Sequence, residues 1–313
     1  MKLPALLHHE IFTPEISHHT TPIVLIHGLF GDLHNLGVLG RELRKTHTVV
    51  QIDVRNHGDS PRAQTMTYRE MAQDVLDLIR TLHFGKVIVI GHSMGGKIAM
   101  ALAALAPDVT EKLVVIDMAP VAYGVRRHDE IIAALEDVTA AGVTTRTEAT
   151  AIMAQRIRED GVIPFLLKSF KQGEWKFNLP VIKAQYESII GWETLPPQQV
   201  PLLLIPGGNS SYVKPEYRDT IMAQFPQATA HVIAGCGHWV HAEKPEAFYA
   251  PSAVSSRIKP DSSAAVTVAL FTDEAQYPAV IVTLLPPGDD RTNLVSDILS
   301  RQIKTDIQQA ATG

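Results

Sequence analysis

Cysteine is almost missing from this chain: Cys236 is the single one among 313 residues, so no disulfide within the chain can hold the fold. Long hydrophobic runs are missing too, since no stretch approaches the roughly 20 apolar residues of a membrane helix. The opening run from Met1 to Leu7 is apolar but short. Pro4 and then His8-His9-Glu10 interrupt it before it reaches the length of a signal-peptide core. The expectation is a soluble, cytoplasmic protein with no membrane partner. Positive charge is not in excess. A formal net charge of -5 argues against nucleic acid as a partner, because a phosphate backbone demands a basic face. No internal repeat is visible. The histidine pairs beginning at His8 and His18 lack the surroundings of metal ligands, so no catalytic metal is expected.

What is present is a core. Apolar residues make up 45% of the chain, and the length suits one large α/β domain with insertions or two small domains. From Ile23 onward, short β-rich runs alternate with helical spacings. Ile23–His27, Val49–Val54, Val87–Ile90 and Leu113–Ile116 read as strands, and Leu36–Arg44, Tyr68–Leu82 and Lys97–Leu105 as helices. The strands are apolar throughout rather than alternating, as parallel strands covered on both faces are. The order implies a doubly wound, mostly parallel sheet.

The rhythm breaks between about Val121 and Pro197, where helical patterns occur without a convincing strand, and Leu202–Pro206 and His231–Ala234 restore it. This predicts a core of residues 1–120 and 198–250 with a helical lid, 121–197, between two core strands. Residues 251–313 read as an extension: a Ser- and Pro-rich linker over Pro251–Ser263, strands at Ala265–Phe271 and Ala279–Leu285, and a helix at Thr292–Ile303.

Gly91-His92-Ser93-Met94-Gly95 lies between a strand and a helix. A serine on so sharp a turn is held in strained backbone geometry with its hydroxyl exposed, and its neighbours two residues away must be small. Ser93 is therefore the candidate nucleophile. The other reading, a glycine-rich turn of a nucleotide-binding fold, lacks G-x-G-x-x-G and its acidic partner. Acyl transfer also needs two N–H groups aimed at a developing oxyanion. One is expected from Met94. The other is expected from the loop after His27-Gly28, as Leu29 with Phe30 as the alternative.

In the α/β-hydrolase fold the acid and then the histidine follow the serine in sequence. His238, in the glycine-bounded loop Gly235-Cys236-Gly237-His238, is the candidate base. His241 is taken as structural, Cys236 as a small strand-end residue, and His92 is expected to point away from the Ser93 side chain. After the strand ending at Pro206 comes Gly207-Gly208-Asn209-Ser210, with no carboxylate before Glu216. Asn209 could orient a histidine but could not offset an imidazolium charge. Asp117 ends an earlier strand that borders the same crevice, and is the candidate acid; its other reading is a helix cap. Ser210 is a candidate fourth member, donating to Asp117 or accepting from His238.

These residues, as His27–Gly31, Gly91–Lys97 and Gly237–Pro245, with Asp53-Val54-Arg55-Asn56-His57-Gly58, Arg126-Arg127-His128-Asp129-Glu130 and Phe165–Phe170, resemble the YbfF group of bacterial esterases within the α/β-hydrolase superfamily. The resemblance runs from about Pro22 to Glu246. It implies a small esterase with acyl-CoA thioesters among its substrates, and it supports the acid at Asp117 and the matching Gly-Gly-Asn-Ser at Ser210. Members of the group close with a short helix soon after the Glu-Lys-Pro segment. Here Pro251 interrupts such a helix, which would leave apolar core surface uncovered; a shifted reading frame near Phe248 would produce such a tail.

Tyr123, Arg126 and Arg127 begin the lid and are candidate substrate-binding residues. Arginines at a pocket mouth suit an anionic leaving group such as the phosphates of coenzyme A, and otherwise read as a solvated charge cluster. Trp175, Phe177 and Trp192 would line an acyl pocket or form lid core. The predicted reaction is hydrolysis of a small-molecule acyl ester or thioester through an acyl-enzyme, which needs no cofactor. Ser93 at the elbow argues against dehalogenase and epoxide hydrolase chemistry. Carbon–carbon bond hydrolysis, and a catalytically dead binding protein on the same fold, are the competing readings.

Overall fold

The structure is a computed structural model, and it describes residues 6–14, 20–230, 232, 237–238, 266–270 and 280–284. Its centre is a seven-stranded sheet. The strands are β1 (His9–Phe12), β2 (Ile23–Ile26), β3 (Val49–Ile52), β4 (Val87–His92), β5 (Thr110–Ile116), β8 (Leu202–Ile205) and β9 (Ala228–Ala230), in spatial order β1-β3-β2-β4-β5-β8-β9. All neighbours pair in parallel except β1, which runs antiparallel to β3 along the edge. β1 was not expected from the sequence. Its pattern of half-buried and exposed residues carries none of the apolar density that marks the central strands.

Period-2 geometry explains the continuous apolar runs. Val24 and Ile26 of β2, Val89 of β4 and Val115 of β5 pack on one face, while Ile23 and Leu25, Ile88 and Ile90, and Val114 and Ile116 pack on the other. The first face carries α2 (Tyr68–Thr81) and α3 (Met94–Leu105); the second carries Leu39 and Leu43 of α1 (Gly37–Leu43). The apolar residues of β2, β4, β5 and β8 on the second face are buried, with Leu203 only partly so. Helix α2 begins where the sequence permits a reciprocal cap: the Thr67 side chain accepts from the Glu70 N–H, and the Glu70 carboxylate accepts from Thr67.

Between β5 and β8 lie α4 (Asp129–Ala141), α5 (Arg146–Met153), α6 (Val162–Leu167), α7 (Leu179–Ala184) and α8 (Tyr186–Ile190). The segment also holds a two-stranded hairpin, β6 (Phe170–Lys171) with β7 (Glu174–Trp175), which corrects the expectation of a strand-free insertion. A two-residue strand has no periodicity to read. Gln172 and Gly173, both at positive φ, make the turn. After β8 come a 3-10 turn (Pro215–Tyr217) and α9 (Arg218–Gln224).

β9 is placed ahead of the expected His231–Ala234, of which only Val232 is described, outside any strand. In the extension, β10 (Val266–Leu270) pairs antiparallel with β11 (Val280–Leu284), within the two expected runs. The expected linker at 251–263 and helix at 292–303 lie outside the described residues.

Candidate active site

Parallel strands deliver their carboxyl ends to one edge of the sheet, and the candidate residues converge there. β4 ends at His92, and Ser93 follows with φ 54° and ψ −122°, the strained turn expected between strand and helix. The two glycines are required by close approach. An added Cβ at Gly91 would run into the Gly95 carbonyl, and one at Gly95 into the carbonyls of Ile26 and His27. β5 ends at Ile116 and passes Asp117, also at positive φ (51°), whose N–H donates to the Ile205 carbonyl of β8.

The Ser93 hydroxyl donates to Nε2 of His238 at 2.8 Å, and Nδ1–H of His238 donates to Oδ2 of Asp117 at 2.6 Å. The Ser210 hydroxyl donates to the same Asp117 oxygen at 2.6 Å, and the Gly207 N–H donates to the other oxygen at 2.9 Å. Ser210 thus takes the first of its two expected geometries, toward Asp117. Asp117 is wholly buried. Burial works to raise its carboxyl, but the hydrogen bond and charge of His238, then the donors Ser210 and Gly207, outweigh burial and hold it below the ordinary carboxylate value. This chain can take a proton from an attacking hydroxyl onto a ring whose tautomer is set by the acid.

His92 does more than point away. Its Nε2–H donates to the backbone carbonyl of His238 at 3.0 Å, and its ring lies 5.3 Å from that of His238. It ties the loop carrying His238 to the serine's own turn. Burial and then the neighbouring His238 push its imidazole down to about 4, so it stays a neutral donor. Tyr212 stacks on the base, with its ring centroid 3.6 Å from that of His238. Neither contact was anticipated. A histidine inside a serine turn and a tyrosine in the loop after β8 have no spacing signal that links them to residue 238.

The loop after β2 is fixed peptide by peptide. His27 donates from Nδ1 to the Gly28 carbonyl at 2.7 Å, and the Gly31 N–H donates to that same carbonyl at 3.1 Å. Gly28 C=O and Leu29 N–H belong to one planar peptide unit, so these bonds also orient the Leu29 N–H. The Phe30 N–H, by contrast, donates to Nε2 of His57 at 3.1 Å. That bond occupies the alternative donor and favours Leu29 for the hole. Among the described residues, neither the Leu29 nor the Met94 N–H has a hydrogen-bond partner, and both residues line the cavity with Ser93. His57 donates from Nδ1 to the Arg55 carbonyl, which fixes it as a neutral acceptor, and burial pushes it down to about 3. Asp53 accepts from the Leu33 and Asp59 N–H groups, which secures the loop pair from beneath.

The cavity is lined by Leu29, Ser93, Met94, Met118, Tyr123, Arg127, His128 and Tyr212 among others. Of the three candidates at the start of the insertion, Tyr123 and Arg127 reach it and Arg126 is not among its lining residues. Arg126 is paired with Asp129 and Glu187 and lies over the Tyr186 ring. The Tyr123 hydroxyl is fully used: it accepts from the Ala119 N–H at 3.0 Å and donates to the Tyr212 carbonyl at 2.7 Å, leaving its ring to face the cavity. Arg127 reaches Ser211 and stacks on Tyr212, while its buried Nε–H has no partner among the described residues. Phe177 is buried in the hydrophobic core, Trp175 and Trp192 pack partly buried against it, and none of the three is among the residues lining the cavity.

Lys97, to which the sequence assigned no role, also lines the cavity. It is wholly buried and donates to the carbonyls of Ile190 and Gly191 at 3.1 and 2.9 Å beneath the rings of Tyr68, Tyr123 and Trp192. Burial pushes its ammonium down to about 7. His8 has more carboxylate neighbours than its sequence suggested: it contacts Asp53 at 2.7 Å, and together with Asp59 their donor atoms lie within 4.8 Å of one another. Asp59 is paired with Lys176 there. Among the described residues no helix is long and apolar enough to cross a membrane.

Comparison with known proteins gives the family of the chain. The chain is 58% identical over 235 residues to esterase YbfF of Escherichia coli (strain K12), covering 75% of this chain and 92% of that one. It is 35% identical over 238 residues to the sn-1-specific diacylglycerol lipase ABHD11 of Mus musculus, covering 72% and 78%. Among solved structures it is similar to a marine microorganism esterase, with a TM-score of 0.72 and 34% identity over 79% of this chain and 97% of that one. The model of the alpha/beta hydrolase family matches residues 23–250, and the chain belongs to that family.

Proposed function

We propose that this protein is a serine-dependent hydrolase of carboxylic esters and thioesters that works through an acyl-enzyme. The observation that carries the reading is the unbroken chain Ser93–His238–Asp117, at 2.8 and 2.6 Å, beside two unpartnered N–H groups in one cavity. In this mechanism Ser93 attacks the acyl carbonyl while His238 takes its proton. The N–H groups of Leu29 and Met94 receive the oxyanion, and His238 returns the proton to the leaving alcohol or thiol. Asp117 holds the tautomer of His238 and offsets its charge. Ser210 keeps one Asp117 oxygen aimed at the ring.

Residues 1–120 and 198–250 serve as the catalytic core, and residues 121–197 as its lid. Residues 251–313 are an extension beyond both. Arg127 supports the thioester part of the reading: its unpaired buried Nε–H suits a phosphate or other anion on the leaving group. Arg126, held by two carboxylates, has less to offer one. The name of the mouse relative adds an acylglycerol ester to the substrates worth testing. A cytoplasmic setting accords with the single cysteine.

The test is a chain-length panel of p-nitrophenyl esters and acyl-CoA thioesters, with Ser93→Ala alongside. Wild-type turnover reduced by about 10⁴-fold or more in the variant is expected. A folded wild type that cleaves none of the panel, or a variant that retains turnover, would sink the reading.

A further inference from the structure

The candidate oxyanion loop is not held by the core alone. Phe30, the residue after Leu29, is wholly buried at φ 65°, and two partners define its peptide groups. Its N–H goes to His57, a core residue. Its carbonyl accepts from the hydroxyl of Ser169 at 3.2 Å, and Ser169 belongs to the insertion, at the joint of α6 and β6. Phe177, just past β7, packs its ring 5.0 Å from the Phe30 ring and 6.4 Å from His57. Its backbone bridges to His57, and the neighbouring Asn178 N–H donates to the Asn56 carbonyl at 2.8 Å. Ser169 and Phe177 are each only 3% exposed, so both contacts lie where water cannot substitute for them. The hairpin of the insertion therefore grips both sides of the loop: Phe30 directly, and the His57 segment on which Phe30 N–H rests.

We propose that Ser169 and Phe177 are positioning residues for the oxyanion site, so that the seating of the inserted hairpin on Phe30 and His57 holds the Leu29 N–H in line. The inference rests on the serine-hydrolase reading and adds that part of the hole's alignment is supplied by the lid. The physical reason is the chain of planar peptides: the Phe30 carbonyl held by Ser169 shares its peptide with the Gly31 N–H, that N–H donates to the Gly28 carbonyl, and the Gly28 carbonyl shares its peptide with the Leu29 N–H, so the insertion's hold on Phe30 helps set the direction of that donor. An oxyanion donor acts on the transition state far more than on bound substrate, so the effect belongs in kcat.

Ser169→Ala and Phe177→Leu test this in the full chain, with a p-nitrophenyl ester and a boronic acid that mimics the tetrahedral intermediate. Loss of a whole donor costs about 10²–10³ in kcat, and a tilted donor less; about a tenfold fall is expected in each variant, with KM within about twofold. Boronate affinity should fall by a similar factor, inhibition by the product acid should hold, and Ser169→Thr should restore both readouts. Unchanged kcat and boronate affinity in both variants would overturn the inference, as would a rise in KM alone. Labelling of the wild type by a fluorophosphonate separates the two levels. If Ser93 is not labelled, the serine reading itself fails; if it is labelled and both variants are kinetically normal, only the positioning role fails.

Discussion

At the scale of single residues, the acid is the most exposed point of the mechanism. Asp117 is the sole carboxylate on His238 among the described residues, and its two oxygens serve three donors. Asp117→Asn keeps the shape but presents an amide where Nδ1–H must donate. A fall in kcat of about 10⁴ is expected, measured on the best ester of the panel. Ser210→Ala removes one hydrogen bond to that carboxylate and leaves the others, so about a tenfold fall is expected. Equal effects in the two variants would contradict the ranking. His92→Ala releases the His238 carbonyl from the serine's turn, and misplacement of the base should cost between about tenfold and 100-fold in kcat/KM with the fold retained. Ser93 and Asp117 were legible as residue types at strand ends, and His238 as a histidine in a glycine-bounded loop late in the chain. His92, Tyr212 and Lys97 were not, because their roles consist of contacts with residues far away in sequence.

At the scale of elements, strand ends and turn geometry decide the site. Gly91→Ala and Gly95→Ala each force a Cβ into backbone carbonyls that no side chain can move aside. Destabilisation of about 3 kcal/mol or more is expected, read as a lost or strongly lowered melting transition. A soluble Gly95→Ala with wild-type melting would contradict the close approach of β2 and α3. Thr67→Ala, at the exposed cap of α2 and not among the residues lining the cavity, should cost about 1 kcal/mol and leave kcat unchanged. The central strands were legible because continuous burial on both faces leaves no alternation. β1 and the β6–β7 hairpin were not, because a half-exposed edge and a two-residue strand draw their identity from the partner they pair with.

At the scale of the whole molecule, the site's scaffold depends on histidines kept neutral. Burial pushes His57 and His128 down to about 3 and His92 to about 4, from an ordinary value of 6.5. The unfolded chain takes up these protons first as pH falls, so stability is fully present above about 6.5 and drains away as pH falls toward about 3. Melting temperature should therefore drop continuously through that window. A flat profile from pH 7 to pH 4 would show that these imidazoles are not held neutral.

Chain order, the apolar strands, the glycines beside Ser93 and the acid at the end of β5 are local facts, and the sequence by itself determined them along with the fold class. Which partner each group chose was decided only in three dimensions. Arg126 turned to Asp129 and Glu187 while Arg127 kept a free donor at the cavity. The Phe30 N–H went to His57 and left Leu29 open. Ser169 reached across 139 residues of sequence to a carbonyl beside the oxyanion loop. Hydrogen bonds are short and directional, so partners of that kind are settled by where the folded backbone brings their atoms, and no periodicity along the chain records it.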